Sequence, residues 1–535
     1  MTKLPGVVET RSGPAGLGHQ PAGGEPAASG WRRWLRGWPV VVIPAAVEMI
    51  VGGFRIGVPS LWRDEAATIS GSQRPLGAIL DLTLHQDAVH GVYYLLIHAV
   101  IAVGGISATA LRLPSLAAMA LTAGVLAALG RRLAVLSELP APSAVGLLAG
   151  LALAAVPITT RYAQEARPYA LTSLFAVLAT YLLIRALPSE RGRAWWWTGY
   201  AAALVLTGLF NLFAVLLVVA HGVSLLIGSA RTTRVLRSWL VSAVAAGVLL
   251  VPLAVLSAGQ SAQLDWVTRP DLSTVATLVR DFAGAALAIP PVALLALLGC
   301  AAGAGLARGR GLTLGVVALP WLVLPPVILL AVSLADPLYV ERYVIFCLPA
   351  LSLLVAAGLT WLVKLTADAL AQRDFAPWRV RLLSLLPSAV LALAITATLV
   401  SPQVAIRQPT SRADDLKQVA AVLAAHEHAD DAILYLPWDT AIVGMAYPAP
   451  FERVRDIGLG VSPAASETLR GLPATSAVVA SRLRSVRRVW TVQWTPSQPS
   501  VGPAGSGSTS ELTSHNFHLI RRWRIQSVFL SLYAR

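Results

Sequence analysis

Charge is scarce in this chain. Only 13% of its 535 residues are Asp, Glu, Lys or Arg, against about 25% in an ordinary soluble domain. Lysine is nearly missing: of 42 basic residues, Lys3, Lys364 and Lys417 are the only lysines and 39 are arginine. Cysteine is limited to Cys300 and Cys347, both inside apolar runs, which excludes a disulfide framework and a cysteine-built metal site. Apolar residues take the vacant share, at 56% of the chain with a mean hydropathy of +0.66. These shortages exclude a soluble enzyme. The formal charge of +15 does not call for nucleic acid, because basic residues in a multi-pass membrane protein mark its cytoplasmic loops. No nucleic-acid partner is expected.

A helix that crosses a hydrocarbon core of about 30 Å needs roughly 20 apolar residues. Eleven segments qualify, near 39–58, 111–130, 143–160, 169–186, 195–210, 212–229, 239–256, 285–307, 312–332, 343–363 and 383–400. Residues 1–37 are rich in Gly, Pro and Ala up to a basic cluster at 31–36, and read as a disordered cytoplasmic tail. The 39–58 run has no small-residue cleavage site after it and is expected to be retained. With residue 1 inside, the inner segments carry 19 basic residues and the outer loops 8, as the positive-inside rule requires. Counting 91–105 as a further span would put Arg131, Arg132 and the arginines of 185–193 outside. That stretch therefore reads as a helix lying at the outer interface, with Tyr93 and Tyr94 at headgroup depth.

After residue 400 polar residues return. Strands are predicted at 432–436, 478–480 and 488–494, a helix over 414–425 with Leu416, Val419, Val422 and Leu423 on one face, and a flexible Gly/Ser/Pro loop at 496–510. The expected architecture is a polytopic α-helical membrane domain over 38–400 and a small extracytoplasmic α/β domain over 401–535.

Polar chemistry concentrates in the outward loops. Trp62-Arg63-Asp64-Glu65 follows the first span, and His85-Gln86-Asp87-Ala88-Val89-His90-Gly91-Val92-Tyr93-Tyr94 comes about twenty residues later. A carboxylate at a membrane surface beside apolar walls can serve as a general base; the competing reading is a solvated loop. His85, His90 and Asp87 also offer a loose donor set for a divalent metal, which leaves metal use open. Further along lie Arg161-Tyr162-Ala163-Gln164-Glu165-Ala166-Arg167-Pro168-Tyr169 and Glu341-Arg342-Tyr343. Arginines at the mouth of a bundle suit a phosphate, because guanidinium is a planar fork of donors that stays charged. Trp266 can stack on a sugar or an isoprenoid, or anchor at the interface. Glu48, in the middle of the first span, calls for a partner or a cavity; Arg55, two turns along on the same face, is the candidate partner, the alternative being that it snorkels outward.

Taken in order and spacing, these motifs resemble the GT-C type polyprenyl-phosphate-dependent glycosyltransferases. They resemble most the bacterial branch related to protein mannosyltransferases and aminoarabinose transferases (glycosyltransferase family 39-like), over residues 38–363. The motifs that carry the likeness are Trp62–Glu65, Asp87 with His90–His98, Leu111-Arg112-Leu113-Pro114-Ser115, Tyr162–Tyr169 and Glu341–Tyr343. Many relatives have Pro-Pro after the histidine where this chain has Gly91-Val92.

The resemblance implies an inverting transfer of a sugar from a polyprenyl-phosphate carrier to a glycan, lipid or protein hydroxyl on the outer face of the cytoplasmic membrane. Asp64 would be the base, with Glu65 supporting it and Asp87 a second acid. Arg342 and Arg167 would hold the carrier phosphate, and His90, Tyr93, Tyr94, Glu165 and Trp266 would line the substrate site. The rival classes are a transporter or flippase of the lipid-linked sugar and a non-catalytic envelope scaffold. A transporter calls for inverted repeats and midplane polar residues, whereas the polar clusters here lie on one face.

Overall fold

The computed structural model describes residues 29–187, 193–228, 232–305, 312–373, 375–495 and 509–535. Val40–Arg535 forms one compact unit. The helices run α1 (Ser29–Gly53), α2 (Arg63–Ser72), α3 (Leu76–His85), α4 (Gly91–Gly104), α5 (Ala108–Leu136), α6 (Pro142–Ala155), α7 (Pro157–Ala163), α8 (Tyr169–Ala186) and α9 (Arg193–Phe210). They continue as α10 (Leu217–Ile227), α11 (Thr233–Gly259), α12 (Leu272–Ala283), α13 (Ile289–Gly305), α14 (Leu314–Ser333), α15 (Leu348–Ala371), α16 (Pro377–Ala405) and α17 (Leu416–His426).

Six of these are long and apolar enough to cross a membrane, or eight if each of two bent pairs is one span. The pattern of eleven runs thus overstates the long helices among the described residues, and the reason is local. Pro157 has no N–H to donate, so the 143–160 run breaks into α6 and α7 at a bend of 71°. The 212–229 run starts as a 3₁₀ turn over Leu212–Leu216, capped by the Asn211 side chain. The 285–307 run follows α12 across a 76° bend at Gly284 (φ +84°).

Small residues let the helices close up. A Cβ on Gly146 would lie 2.4 Å from the Ala127 carbonyl oxygen across α5 and α6, and one on Gly358 would lie 2.0 Å from that of Leu295 across α13 and α15. Such approaches let dispersion and close backbone packing do what the hydrophobic effect cannot do in lipid. Buried hydroxyls return to their own helix, as when Thr122 donates to Ala118 O at 2.7 Å and Thr207 to Ala203 O at 2.7 Å.

The C-terminal part carries β1 (Ala432–Tyr435), β2 (Arg455–Asp456), β3 (Leu459–Val461), β4 (Leu472–Pro473), β5 (Arg488–Trp494), β6 (His518–Ile525) and β7 (Val528–Ala534). The main sheet has the order β2-β1-β5-β7-β6, parallel about β1 and antiparallel from β5 outward. β1, β5 and the helix α17 agree with expectation, and Leu416, Val419 and Leu423 form its buried face. The predicted strand at 478–480 is instead part of the helix Ser476–Leu483, which buries Val479 and Leu483 four apart. Residues 496–508 of the predicted loop lie outside the described residues, as do 1–28 of the predicted tail; 29–37 belong to α1.

One apolar cluster joins Leu61, Ile69, Tyr93 and Ile97 to Trp438, Trp490, Val492 and Leu530. The sheet and the loop after α1 therefore share a core.

Candidate active site

The first motif is built as a rigid corner. Arg112 donates through Nε to Glu65 Oε1 (2.8 Å) and through Nη2 to Glu65 Oε2 (2.7 Å), and both side chains are fully buried. The same guanidinium donates to the carbonyls of Ile56, Pro59 and Ser60. Glu65 Oε1 also accepts from the Ala166 N–H at 2.9 Å. Glu65, grouped by motif with the catalytic acids, is thus saturated by protein donors and ties the Trp62 corner to the 164–168 segment.

Its neighbour Asp64 is left freer. Asp64 Oδ2 is buried without a hydrogen-bond partner among the described residues and lies 3.7 Å from Arg342 Nη2. Arg342 also donates through Nε to the Tyr169 hydroxyl at 3.0 Å, and its guanidinium lies 5.4 Å from the Trp266 ring. Three segments far apart in sequence, 62–65, 266 and 341–343, therefore meet at one point.

Asp87 sits in the left-handed region, at φ 61° and ψ 36°, which a short polar side chain tolerates better than a branched one. This turn sets its carboxylate against His90 Nδ1 (2.6 Å) and the Tyr94 hydroxyl, which donates to Oδ2. His90 Nε2 lies 2.8 Å from Arg167 Nη2. Arginine can only donate, so Nε2 carries the lone pair and Nδ1 the proton given to Asp87. Burial works against the Asp87 charge, yet His90 and Arg167 outweigh it and hold the carboxyl below the usual range. Burial first, and then the Arg167 charge, push the imidazole down. Burial disfavours the Arg167 charge, but Asp64 and the other anionic groups around it raise its pKa above the ordinary value. Arg167 Nη1 in addition reaches the Asp64 carbonyl at 3.4 Å, so Arg167 bridges the two acidic motifs.

Glu165 is 1% exposed; its only charged contact at short range is Arg161 Nε, 3.7 Å from Oε2, and neither oxygen has a hydrogen-bond partner among the described residues. Burial raises its pKa, against the pull of Arg161 and Arg412. Tyr93 and Tyr94 are fully buried within the protein. Tyr93 packs in the shared core, its hydroxyl 3.5 Å from Ser115 Oγ. The 14 residues of α4 are fewer than a crossing needs. His85 turns to Glu467 (3.0 Å) and not to His90, and no group of three or more His, Cys, Asp or Glu is placed to hold a metal among the described residues. Glu48 is fully buried, and the cation that acts on it is Arg407, not Arg55.

Sequence reasoning missed the contribution from beyond residue 400. Asp414 accepts from Arg63 Nε (2.8 Å), Nη2 (2.6 Å) and backbone N (3.0 Å), while Arg63 lies 4.0 Å from the centre of the Trp494 ring. Arg412 Nη2 donates to the Gln164 carbonyl at 2.9 Å. Ser70 and Arg74 donate to the carbonyls of Leu469 and Thr468. No pattern in the 401–535 segment announces these partners.

The fold is that of a GT-C-like multi-pass membrane protein, the architecture the motifs implied. The model of the dolichyl-phosphate-mannose-protein mannosyltransferase family matches residues 91–257. Among solved structures, ArnT from Cupriavidus metallidurans in the apo state is similar at a TM-score of 0.58 and 14% identity, over 95% of this chain and 98% of that one. The same protein bound to undecaprenyl phosphate gives 0.55 and 13%, with the same coverage. The Archaeoglobus fulgidus oligosaccharyltransferase in the apo form gives 0.51 and 12%, over 87% of this chain and 70% of that one. No curated protein sequence matches the chain.

Proposed function

We propose that this protein is a membrane glycosyltransferase that moves a sugar, with inversion, from a polyprenyl-phosphate carrier to an acceptor hydroxyl on the outer face of the bacterial cytoplasmic membrane. The observation that carries the reading is Asp64 Oδ2, buried, without a hydrogen bond among the described residues and 3.7 Å from Arg342. A carboxylate so placed has lone pairs open to a substrate proton. The family model and the similar fold that holds undecaprenyl phosphate in ArnT support the carrier class.

In this mechanism Asp64 takes the proton of the acceptor hydroxyl as its oxygen attacks the anomeric carbon from the face opposite the carrier. The bond from that carbon to the phosphate oxygen breaks, and its electron pair leaves with the carrier phosphate. Arg342 and Arg167 stabilise the charge gathering on that phosphate. Asp87 is the second acid, fixed by His90 and Tyr94. Glu65 acts through Arg112 and the 164–168 backbone and is a positioning residue. Tyr94, Glu165 and Trp266 complete the surroundings of the substrate.

The test is transfer by the purified protein in nanodiscs, supplied with radiolabelled polyprenyl-phosphate sugars and an envelope extract as acceptor. Label should move from one donor, and Asp64→Asn should lower the rate by at least about a hundredfold with an unchanged helical circular dichroism spectrum. Wild-type turnover by that variant would falsify the base assignment.

A further inference from the structure

Both bent helix pairs end at one cavity of about 530 Å³. Pro157 and Ile158 of α7 form one wall, Arg280 and Asp281 at the end of α12 another, and Arg161 and Glu341 bring further charge. Gly284 sets the join. A Cβ there would come within 2.6 Å of Leu399 Cδ2 on α16 and 2.8 Å of Pro157 Cδ. Broken backbone at membrane depth is tolerated where it lines a polar cavity, because its carbonyl and N–H groups need partners there. None of Asp64, Asp87, Arg167 or Arg342 lines this space.

Its neighbour α12 indicates where a ligand comes from. Asp271 and Thr274 cap the helix in a reciprocal box, and Leu272, Val275 and Val279 leave an exposed apolar stripe at helical spacing, with Leu272 89% exposed. A short helix with one bare apolar face lies in the membrane interface, and its C-terminal end is the cavity wall. The cavity chemistry is mixed: the guanidiniums of Arg161 and Arg280 share the lining with the carboxylates of Asp281 and Glu341, and Arg280 lies 3.5 Å from Asp281. Paired charges disfavour a net anion, whereas hydroxyls can donate to the carboxylates and accept from the arginines together.

We propose that the cavity between α7, α12 and α16 is a second binding site that takes the hydroxyl-bearing headgroup of a membrane-embedded amphiphile, admitted from the lipid beside α12. The proposal goes beyond the transferase reading, since none of the residues assigned to that chemistry lines the cavity, and its test is binding and needs no turnover.

The full chain in nanodiscs is irradiated with decyl glucoside carrying a diazirine in its tail, and with decanol carrying the same diazirine; labelled peptides are read by mass spectrometry. The glucoside should label 157–162 and 280–286 about tenfold more than decanol does, the worth of one or two hydrogen bonds to charged groups. Ile406→Trp, which fills the cavity from α16, should remove that preference. Val248→Trp, on an exposed face of α11, should keep it and controls for an added indole. Asp64→Asn should also keep it even though it abolishes transfer, so the two readings fail separately. Equal labelling by both probes, full labelling of Ile406→Trp, or loss in Asp64→Asn would each overturn the second site.

Discussion

At the scale of single residues, the three carboxylates of the first two motifs are set apart by what surrounds them. Glu65 has both oxygens engaged by Arg112, Asp87 is held by His90 and Tyr94, and Asp64 Oδ2 is left without a hydrogen bond among the described residues. Sequence alone ranks Asp64 and Glu65 together, because adjacency says nothing of which side chain meets an arginine 47 positions away. Arg342→Ala should weaken polyprenyl-phosphate binding by about ten- to a hundredfold, the cost of losing charge-assisted hydrogen bonds, and leave acceptor binding nearly unchanged. Equal weakening of both in equilibrium binding would contradict its phosphate role.

His90 makes a pH dependence at the same scale. Its folded pKa is depressed, so its share of stability is present above its unfolded value near 6.5 and is lost as the pH falls through the folded value. Asp87, also depressed, adds a loss of the same sign at lower pH, below its unfolded value near 3.9. Thermal unfolding in nanodiscs should therefore occur at lower temperature as the pH drops from 7 toward 5. His90→Gln should flatten that dependence; an unaltered slope would remove His90 from the account.

At the scale of elements, the buried Glu65–Arg112 pair joins the corner before α2 to α5 and, through Ala166, to the start of α8. Removing one member strands the other charge in a site with no exposure, which costs about 3–5 kcal/mol. Glu65→Ala is thus expected to lower the unfolding temperature and the folded yield in detergent. Glu65→Gln, which keeps an oxygen acceptor but loses the charge, should lie between. A variant with wild-type stability and only reduced turnover would give Glu65 back to the chemistry.

The broken helices belong to this scale too. Hydropathy runs through Pro157 without interruption, because proline is near neutral to a sliding window, and the 285–307 run gives no sign of the turn at Gly284 just before it. Their backbones decide otherwise: proline removes a donor, and glycine accepts a positive φ that ends α12. The helical period over 414–425 was legible for the opposite reason, since there the apolar spacing and the cap residue Asp415 agree.

For the whole molecule, the C-terminal region is seated on the membrane domain through charge as well as apolar packing. Asp414 takes three donors from Arg63, at one edge of the same corner that presents Asp64. Asp414→Ala should release the sheet from this corner and speed cleavage in the 401–415 connection under limited proteolysis. The same change is expected to slow transfer, since Arg63 precedes Asp64. Unchanged proteolysis rates would show that the shared core alone holds the two parts together.

Composition was sufficient to determine that the chain lives in a membrane, because a chain with so few charges and so many apolar runs has no stable soluble form. Motif order gathered the candidate residues in the loops between the apolar runs, since charge survives in such a chain only where water, or a function, keeps it. The meeting of Asp64, Arg342, Tyr169 and Trp266, the seating of Asp414 on Arg63 and the cavity at Gly284 were decided by tertiary structure alone. Each depends on distances between segments tens to hundreds of residues apart, and those distances are set by helix packing and backbone breaks that no local pattern encodes.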